Sequence, residues 1–409
     1  MNSILIQNAN VLSTITGGIS ANHDVFVQNG RIIEVGQHPL KVSADNTLNA
    51  RGRFLMPGLC DAHVHVTAVT PNFAEHGKRS PSYVAARSSR ILQGMLHRGF
   101  TTVRDAGGAD HGLADAVEEG YFKGPRLLVS GHALSQTGGH GDMRVRGDDS
   151  LDFCPSCTGR LGRICDGVTE VRRAARDELR KGAKQIKIMA SGGIASPTDH
   201  IENTQFSLDE IKAIVEEATA ARTYVMAHAY TSRAVMRAIE CGVRSIEHGN
   251  LIDEECARQM KERGCFLVPT LSTYETLFQH GRKIGLPEYY YEKLKTAKDA
   301  GLRALEIAHR LGLKIVYGTD LLGELHQYQC LEFSLRSEIQ PPFAIIQSAT
   351  VLCAEIFNMN GEIGVIAPGA RADILLINGN PLEDLNFLQD PDRHLVLIMK
   401  DGEVVVNRL

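Results

Sequence analysis

The chain has no tryptophan, few aromatic residues of any kind (6%) and no run of 18 or more apolar residues. The last absence argues against a membrane-spanning helix, which needs about 20 such residues. A charge of one sign is missing too: 44 Lys and Arg against 48 Asp and Glu leave a formal charge of -4, so no strong pull toward nucleic acid is expected. Residues 1–8 lack a basic stretch followed by an apolar run and a small-residue cleavage site, which points to a soluble, cytoplasmic protein. Nine cysteines, an odd number, do not read as a disulfide framework and are expected to be mostly reduced. The glycine pairs Gly107-Gly108, Gly138-Gly139 and Gly192-Gly193 match no dinucleotide or phosphate-loop spacing.

What the chain does have is length, 409 residues, and sixteen histidines. At about 150 residues per domain the length allows two or three units or one large barrel. Short apolar runs alternate with turns over the first fifty residues, with Asn29-Gly30 as a hairpin signal, and again near the end, where Asp401-Gly402 separates two runs. Both ends therefore read as parts of one small β domain, 1–56 with 365–409. Between them, over 57–364, strand-like runs alternate with helical stretches. Eight strands are expected, at 59–63, 101–105, 126–130, 185–189, 224–228, 243–247, 265–269 and 314–319. Ser207 and Glu210 form a capping box ahead of Ile211, Ile214, Val215 and Ala218, and helices at 231–240 and 253–262 close at Gly242 and Gly264. The expected class is α/β: a (β/α)8 TIM-like barrel with a small β-sandwich built from both termini, an open sheet being the alternative.

His63-Val64-His65 lies where the first of these strands should end. Residues two apart on an extended segment face the same way, so the two imidazoles can converge on one ion. His228 ends the fifth expected strand, His248 follows the sixth, and Asp320 follows the eighth. In a barrel these strand ends share one rim, where active sites sit, and imidazoles with a carboxylate suit a divalent ion such as zinc. Each histidine alone could equally be a packed or surface residue. Lys187 is different, because it sits inside the apolar run Gln185-Ile186-Lys187-Ile188-Met189, where a buried ammonium is costly and cannot bind a cation. A carbamate formed with carbon dioxide would be an anionic bridge for two metals; an ordinary lysine paired with Asp320 or Glu247 would also fit the spacing.

Taken together, His63-Val64-His65 after Pro57-Gly58-Leu59-Cys60-Asp61-Ala62, then Lys187, His228, His248 and Asp320, resemble the binuclear metal ligands of the amidohydrolase superfamily. The stretch Gly364-Val365-Ile366-Ala367-Pro368-Gly369-Ala370-Arg371-Ala372-Asp373 is similar to its small composite domain. Thr101-Thr102-Val103-Arg104-Asp105, 132–142, Lys187-Ile188-Met189-Ala190-Ser191-Gly192-Gly193 and His228-Ala229-Tyr230 resemble the imidazolonepropionase-related branch, which contains metal-dependent prolidases and Xaa-Arg/Lys carboxypeptidases.

The resemblance implies two divalent ions, zinc by the chemistry of the ligands, with Lys187 carbamylated by carbon dioxide and bridging them. It places His63, His65 and Asp320 on the more buried ion and His228 and His248 on the other. Asp320 would act as general acid and base, and His140 and Tyr230 would receive the carboxylate of a small dipeptide or amide substrate. Hydrolysis of Xaa-Pro is the leading expectation. A preference for a C-terminal Arg or Lys, with Glu324 or Glu332 as acidic partner, and hydrolysis of a cyclic amide or N-acyl amino acid are the alternatives. A non-catalytic binding barrel is the remote one. The family also implies homo-oligomers. Cys154-Pro155-Ser156-Cys157 with Cys165 shows no nearby fourth metal ligand and is read as loop cysteines without metal. His76, His97, His111, His280, His309 and His394 are read as solvated or locally packed.

Overall fold

The computed structural model describes residues 3–148 and 161–409, so Cys154 and Cys157 fall outside it. The chain divides into two compact units: Met1–Asp61, Gln93–Thr102 and Phe333–Leu409 in one, Ala62–Leu92 and Val103–Glu332 in the other.

In the first unit, β1 (Ser3–Leu12), β2 (Ile19–Gln28), β3 (Arg31–Gln37), β4 (Asn46–Asn49) and β5 (Phe54–Pro57) from one end of the chain pair with three strands from the other, Ile374–Ile377, Leu395–Lys400 and Glu403–Asn407. All eight belong to one hydrogen-bonded sheet. Its core follows from two-residue periodicity: Ile4 and Ile6 lie opposite Val27 and Val25, and Ile374 and Leu376 lie opposite Met399 and Leu397, all in one buried cluster. Both turns expected from the sequence form. Asn29-Gly30 and Asp401-Gly402 each take positive φ at both positions (50° and 78°; 48° and 78°), as a tight two-residue hairpin requires.

The second unit carries the remaining strands, two of which begin in the first: β6 (Leu59–Val64), β7 (Phe100–Asp105), β8 (Arg126–Leu128), β9 (Ala133–Ser135), β10 (Gly162–Ile164), β11 (Ile186–Met189), β12 (Val225–Thr231), β13 (Ser245–Leu251), β14 (Phe266–Val268) and β15 (Lys314–Ile315). They form a three-stranded sheet, β6-β7-β8, and a seven-stranded sheet, β10-β9-β11-β12-β13-β14-β15, parallel at every pairing resolved in the latter. Backbone hydrogen bonds also link the two sheets: Ala62 N–H donates to Tyr317 O and Asp320 N–H to His63 O, each at 2.8 Å, and Lys184 N–H, two residues before β11, donates to Val129 O, just past β8, at 2.8 Å. Each of the eight expected strands overlaps an observed one. β9 and β10, three residues each, are not among the expected strands.

The helices between these strands start where the sequence says they should. Ser207 accepts the Glu210 N–H while the Glu210 carboxylate accepts the Ser207 N–H, and the helix Leu208–Ala220 buries Ile211, Ala213, Ile214 and Ala218. Thr231 and Asp253 cap the helices Ser232–Glu240 and Glu254–Glu262. Replacing Ser207 with alanine is expected to cost about 1 kcal/mol locally. Amide exchange along 208–220 should then quicken, with little change elsewhere; exchange that quickens throughout the chain would contradict a local cap. No helix among the described residues is long and apolar enough to cross a membrane.

Candidate active site

The site is built at and just past the C-terminal ends of strands from both sheets. His63 lies in β6 and His65 one residue past its end; their Nε2 atoms stand 3.4 and 3.3 Å from the same Asp320 Oδ1. These three side chains form a group whose donor atoms all lie within 4.8 Å of one another. His228, in β12, and His248, in β13, bring their ring centroids to 4.7 Å, and His248 stands 5.1 Å from His63.

Backbone conformation explains how adjacent residues of β13 both reach this cluster. Neighbours on a regular strand point to opposite faces. Glu247 nevertheless hydrogen-bonds His63 Nδ1 at 2.7 Å while His248 packs its ring near His63, because His248 takes φ 76° and breaks the alternation. Thr270 (φ 50°) and Asp320 (φ 52°) are left-handed as well. Such conformations in non-glycine residues cost of order 1 kcal/mol or more each and gather at functional sites.

The second nitrogen of each ring is held. His63 Nδ1 pairs with Glu247, His65 Nδ1 with Gly107 O at 2.9 Å, His248 Nδ1 with the Thr270 hydroxyl at 2.8 Å, and His228 Nε2 with Gly192 O at 3.2 Å. Fixing one nitrogen this way sets the tautomer and aims the other, as around bound metals. Burial works against the Asp320 charge, but His63, His65 and His248 hold its carboxyl well below the usual carboxylate range. Burial pushes the Glu247 carboxyl up, and the Arg104 guanidinium with the His63 ring outweighs it, leaving it at about 2. Burial also keeps His228 and His248 well below the usual imidazole value.

Lys187, in β11, is 1% exposed and lines the same cavity of about 400 Å³ as His63, His65, His228, His248 and Asp320. Among the described residues its ammonium makes no ion pair with Asp320 or Glu247, the arrangement the sequence also allowed. Burial lowers its pKa to about 8 against the pull of Glu247 and Asp320. A site buried among imidazoles and a carboxylate, with no ion pair for the amine among the described residues, is a poor place for a plain ammonium. The donor set therefore fits divalent ions, with imidazole nitrogens and carboxylate oxygens as ligands.

His140 and Tyr230 line that cavity too. The His140 ring stacks on His228 at 4.2 Å, and the Tyr230 ring lies 5.3 Å from His248. All eight side chains singled out from the sequence thus stand in one place. Several others were missed. Arg104, fully buried, donates to Glu247 Oε1 at 3.0 Å, to Ala62 O at 2.7 Å and to Ser245 Oγ at 3.2 Å. Asp105 accepts from the backbone N–H groups of Val66, Gly107 and Ala109, and Tyr274 donates its hydroxyl to Tyr230 at 3.2 Å. The available signal was a charged pair, Arg104-Asp105, ending an otherwise apolar run. His76, read as solvated or locally packed, is buried and lines the cavity. Cys165 is a buried free thiol, which burial pushes up to about 12.

Alternating strands and helices that gather imidazoles and a carboxylate at strand ends describe a hydrolase. The chain belongs to the amidohydrolase family, whose model matches residues 54–405, and it is an enzyme that hydrolyses amide bonds. It is 35% identical over 363 residues to the ochratoxinase of Aspergillus niger, spanning 86% of this chain and 75% of that one. A solved prolidase complexed with N-methylphosphonate-L-proline is 48% identical, with a TM-score of 0.97 over 99% of this chain and 100% of that one. A solved Xaa-Pro dipeptidase with bound methionine is 27% identical, with a TM-score of 0.89 over 99% and 100%.

Proposed function

We propose that this enzyme is a binuclear zinc-dependent dipeptidase that hydrolyses Xaa-Pro peptide bonds. The observation that carries the reading is the gathering of six ligand-type side chains with His140 and Tyr230 in one cavity. His63, His65 and Asp320 would hold one ion, His228 and His248 the other, and Lys187, carbamylated by carbon dioxide, would bridge them. In this reading the two sheets close as a (β/α)8 barrel over 57–364, with 1–56 and 365–409 as a β-sandwich.

When bound, the two ions supply Lewis acidity, lowering the pKa of water toward neutrality and polarising a carbonyl. The chain's own residues do the rest. Asp320 is held ionised beside His63 and His65, so it can take the proton of the attacking water and give it to the departing amine. His140 and Tyr230 receive the free carboxylate of the substrate. Glu247, paired with Arg104, keeps the His63 ring in place throughout.

The similar prolidase, complexed with a phosphonate derivative of proline, supports the Xaa-Pro reading. A second reading, hydrolysis of N-acyl amino acids, draws on the apolar walls Phe73, Met143, Ile194 and Leu277 and on the likeness to ochratoxinase. The basic-residue alternative loses its candidate partners: Glu332 accepts the Ser272 N–H at 2.7 Å, and Glu324 lines a separate cavity with Arg79 and Arg87.

Zinc-loaded protein is expected to release amino acids from Leu-Pro and Ala-Pro, and metal-stripped protein is expected not to. Leu-Arg and N-acetyl-leucine complete the panel. Cleavage of N-acetyl-leucine in preference to both proline dipeptides would favour the second reading. Failure of every member, in protein shown to hold two metals, would overturn the dipeptidase reading.

A further inference from the structure

Tyr230 and Tyr274 both line the cavity and lie in one buried apolar cluster with Ile194, Leu277, Tyr290 and Leu321. The Tyr230 ring stands edge-on to His228 at 4.9 Å and nearly parallel to His248 at 5.3 Å. With the ring so seated, the freedom left to this side chain is the direction of its hydroxyl hydrogen.

Tyr274 reaches it from the helix Leu271–His280, which follows β14. The start of that helix is pinned. Ser272 N–H donates to Glu332 Oε2 at 2.7 Å, the Ser272 hydroxyl donates to Thr319 O at 3.2 Å, and Thr270 Oγ1 lies 2.8 Å from His248 Nδ1. The Tyr274 side chain is therefore delivered by a fixed element, and its ring packs 6.2 Å from His248 and 6.3 Å from Tyr230. Its hydroxyl donates to the Tyr230 oxygen at 3.2 Å.

A phenol has one hydrogen to donate and lone pairs to accept with, whereas a carboxylate only accepts. A carboxylate at Tyr230 therefore takes the Tyr230 hydrogen and leaves the Tyr230 oxygen as an acceptor. Tyr274 is the donor that meets it. The Thr270 hydroxyl is a second neighbour of the Tyr274 oxygen, whose lone pairs stay open to it when the Tyr274 hydrogen goes to Tyr230. The order Tyr274 to Tyr230 to carboxylate polarises the middle hydroxyl and strengthens its bond to the anion, and it does so in a buried place where an unmet polar atom is costly.

We propose that Tyr274 is a positioning residue: by donating to Tyr230 it turns the Tyr230 hydroxyl toward the carboxylate of the substrate. The inference rests on the reading that Tyr230 receives that carboxylate. Tyr274→Phe keeps the ring in the cluster and removes only the hydroxyl.

With zinc-loaded protein and Leu-Pro as substrate, Tyr274→Phe is expected to raise KM about fivefold while kcat stays within about twofold, as the weakening of a binding hydrogen bond would. Tyr230→Phe is expected to raise KM about tenfold, and adding Tyr274→Phe to it should change KM by less than about 1.5-fold, because the second residue acts through the first. A rise of the same size in both backgrounds would make Tyr274 a direct contact or a packing residue and overturn the inference. An unchanged KM in either single variant would do the same, as would a fall in kcat alone.

A second measurement is independent of activity: 13C NMR of protein labelled at the tyrosine ζ carbon, with Tyr230 assigned by its loss in Tyr230→Phe. The Tyr230 resonance is expected to move in Tyr274→Phe, and since the neighbouring ring is kept, the shift reports the hydroxyl. A resonance that stays in place would show that the two hydroxyls are not bonded and would sink the positioning role. If Leu-Pro and Ala-Pro are left intact, the dipeptidase reading fails, and the resonance still decides whether Tyr274 holds Tyr230.

Discussion

Replacing Lys187 with alanine is expected to lower kcat by about 10³-fold or more, since bridging two ions is asked to supply several kcal/mol of transition-state stabilisation. Zinc content, measured by elemental analysis, should fall below that of the unmodified protein. The side chain is 1% exposed inside a wall of buried residues, so its removal leaves a small space at the head of β11. A short carboxylate such as acetate or propionate can enter that space and offer the two oxygens a carbamate would offer. Added to Lys187→Ala, it is expected to restore part of both the activity and the zinc content, whereas methylamine is expected to restore neither. Activity within about threefold of the unmodified enzyme would remove Lys187 from the metal site, because a lost bridging ligand has a far larger effect. Rescue by the amine alone would assign it an ordinary cationic role.

The second large effect concerns stability. Glu247→Ala is expected to destabilise the metal-free protein by about 3–5 kcal/mol, the usual cost of removing one partner of a buried ion pair. Arg104 and Glu247 are both fully buried, and the carboxylate also receives the Ser245 hydroxyl at 2.6 Å and the His63 ring. Its loss takes away the charge that faces the guanidinium and the bond that orients His63. Urea denaturation should show the first effect and weakened zinc binding the second. Glu247→Gln keeps the shape and should cost less stability. A loss below about 1 kcal/mol in Glu247→Ala would show that water replaces the carboxylate beside Arg104.

The parts of the site that were legible in the sequence are those with a short-range signature. His63 and His65 are two apart at the end of an apolar run, and a strand puts both on one side. Lys187 announces itself as a charge inside a buried strand. The capping box of Ser207 and Glu210 locates its helix for the same local reason. Glu247 could not be assigned in this way, since its partner His63 is 184 positions away and nothing near it in sequence indicates the pairing. The same holds for Ser196, whose hydroxyl oxygen lies 2.9 Å from His140 Nδ1 although the two are 56 positions apart.

The sequence by itself determined the alternation of strands and helices, the turns of the terminal β strands and the residue types able to hold a metal, because each depends on periodicity or chemistry within a few residues. Only the tertiary structure decided which nitrogen of each histidine is held, that Lys187 has no ion pair with Asp320 or Glu247, and that Glu247 and His248 both reach His63. Those outcomes depend on side chains brought together from distant strands, and on a left-handed turn at His248 that strand periodicity argues against.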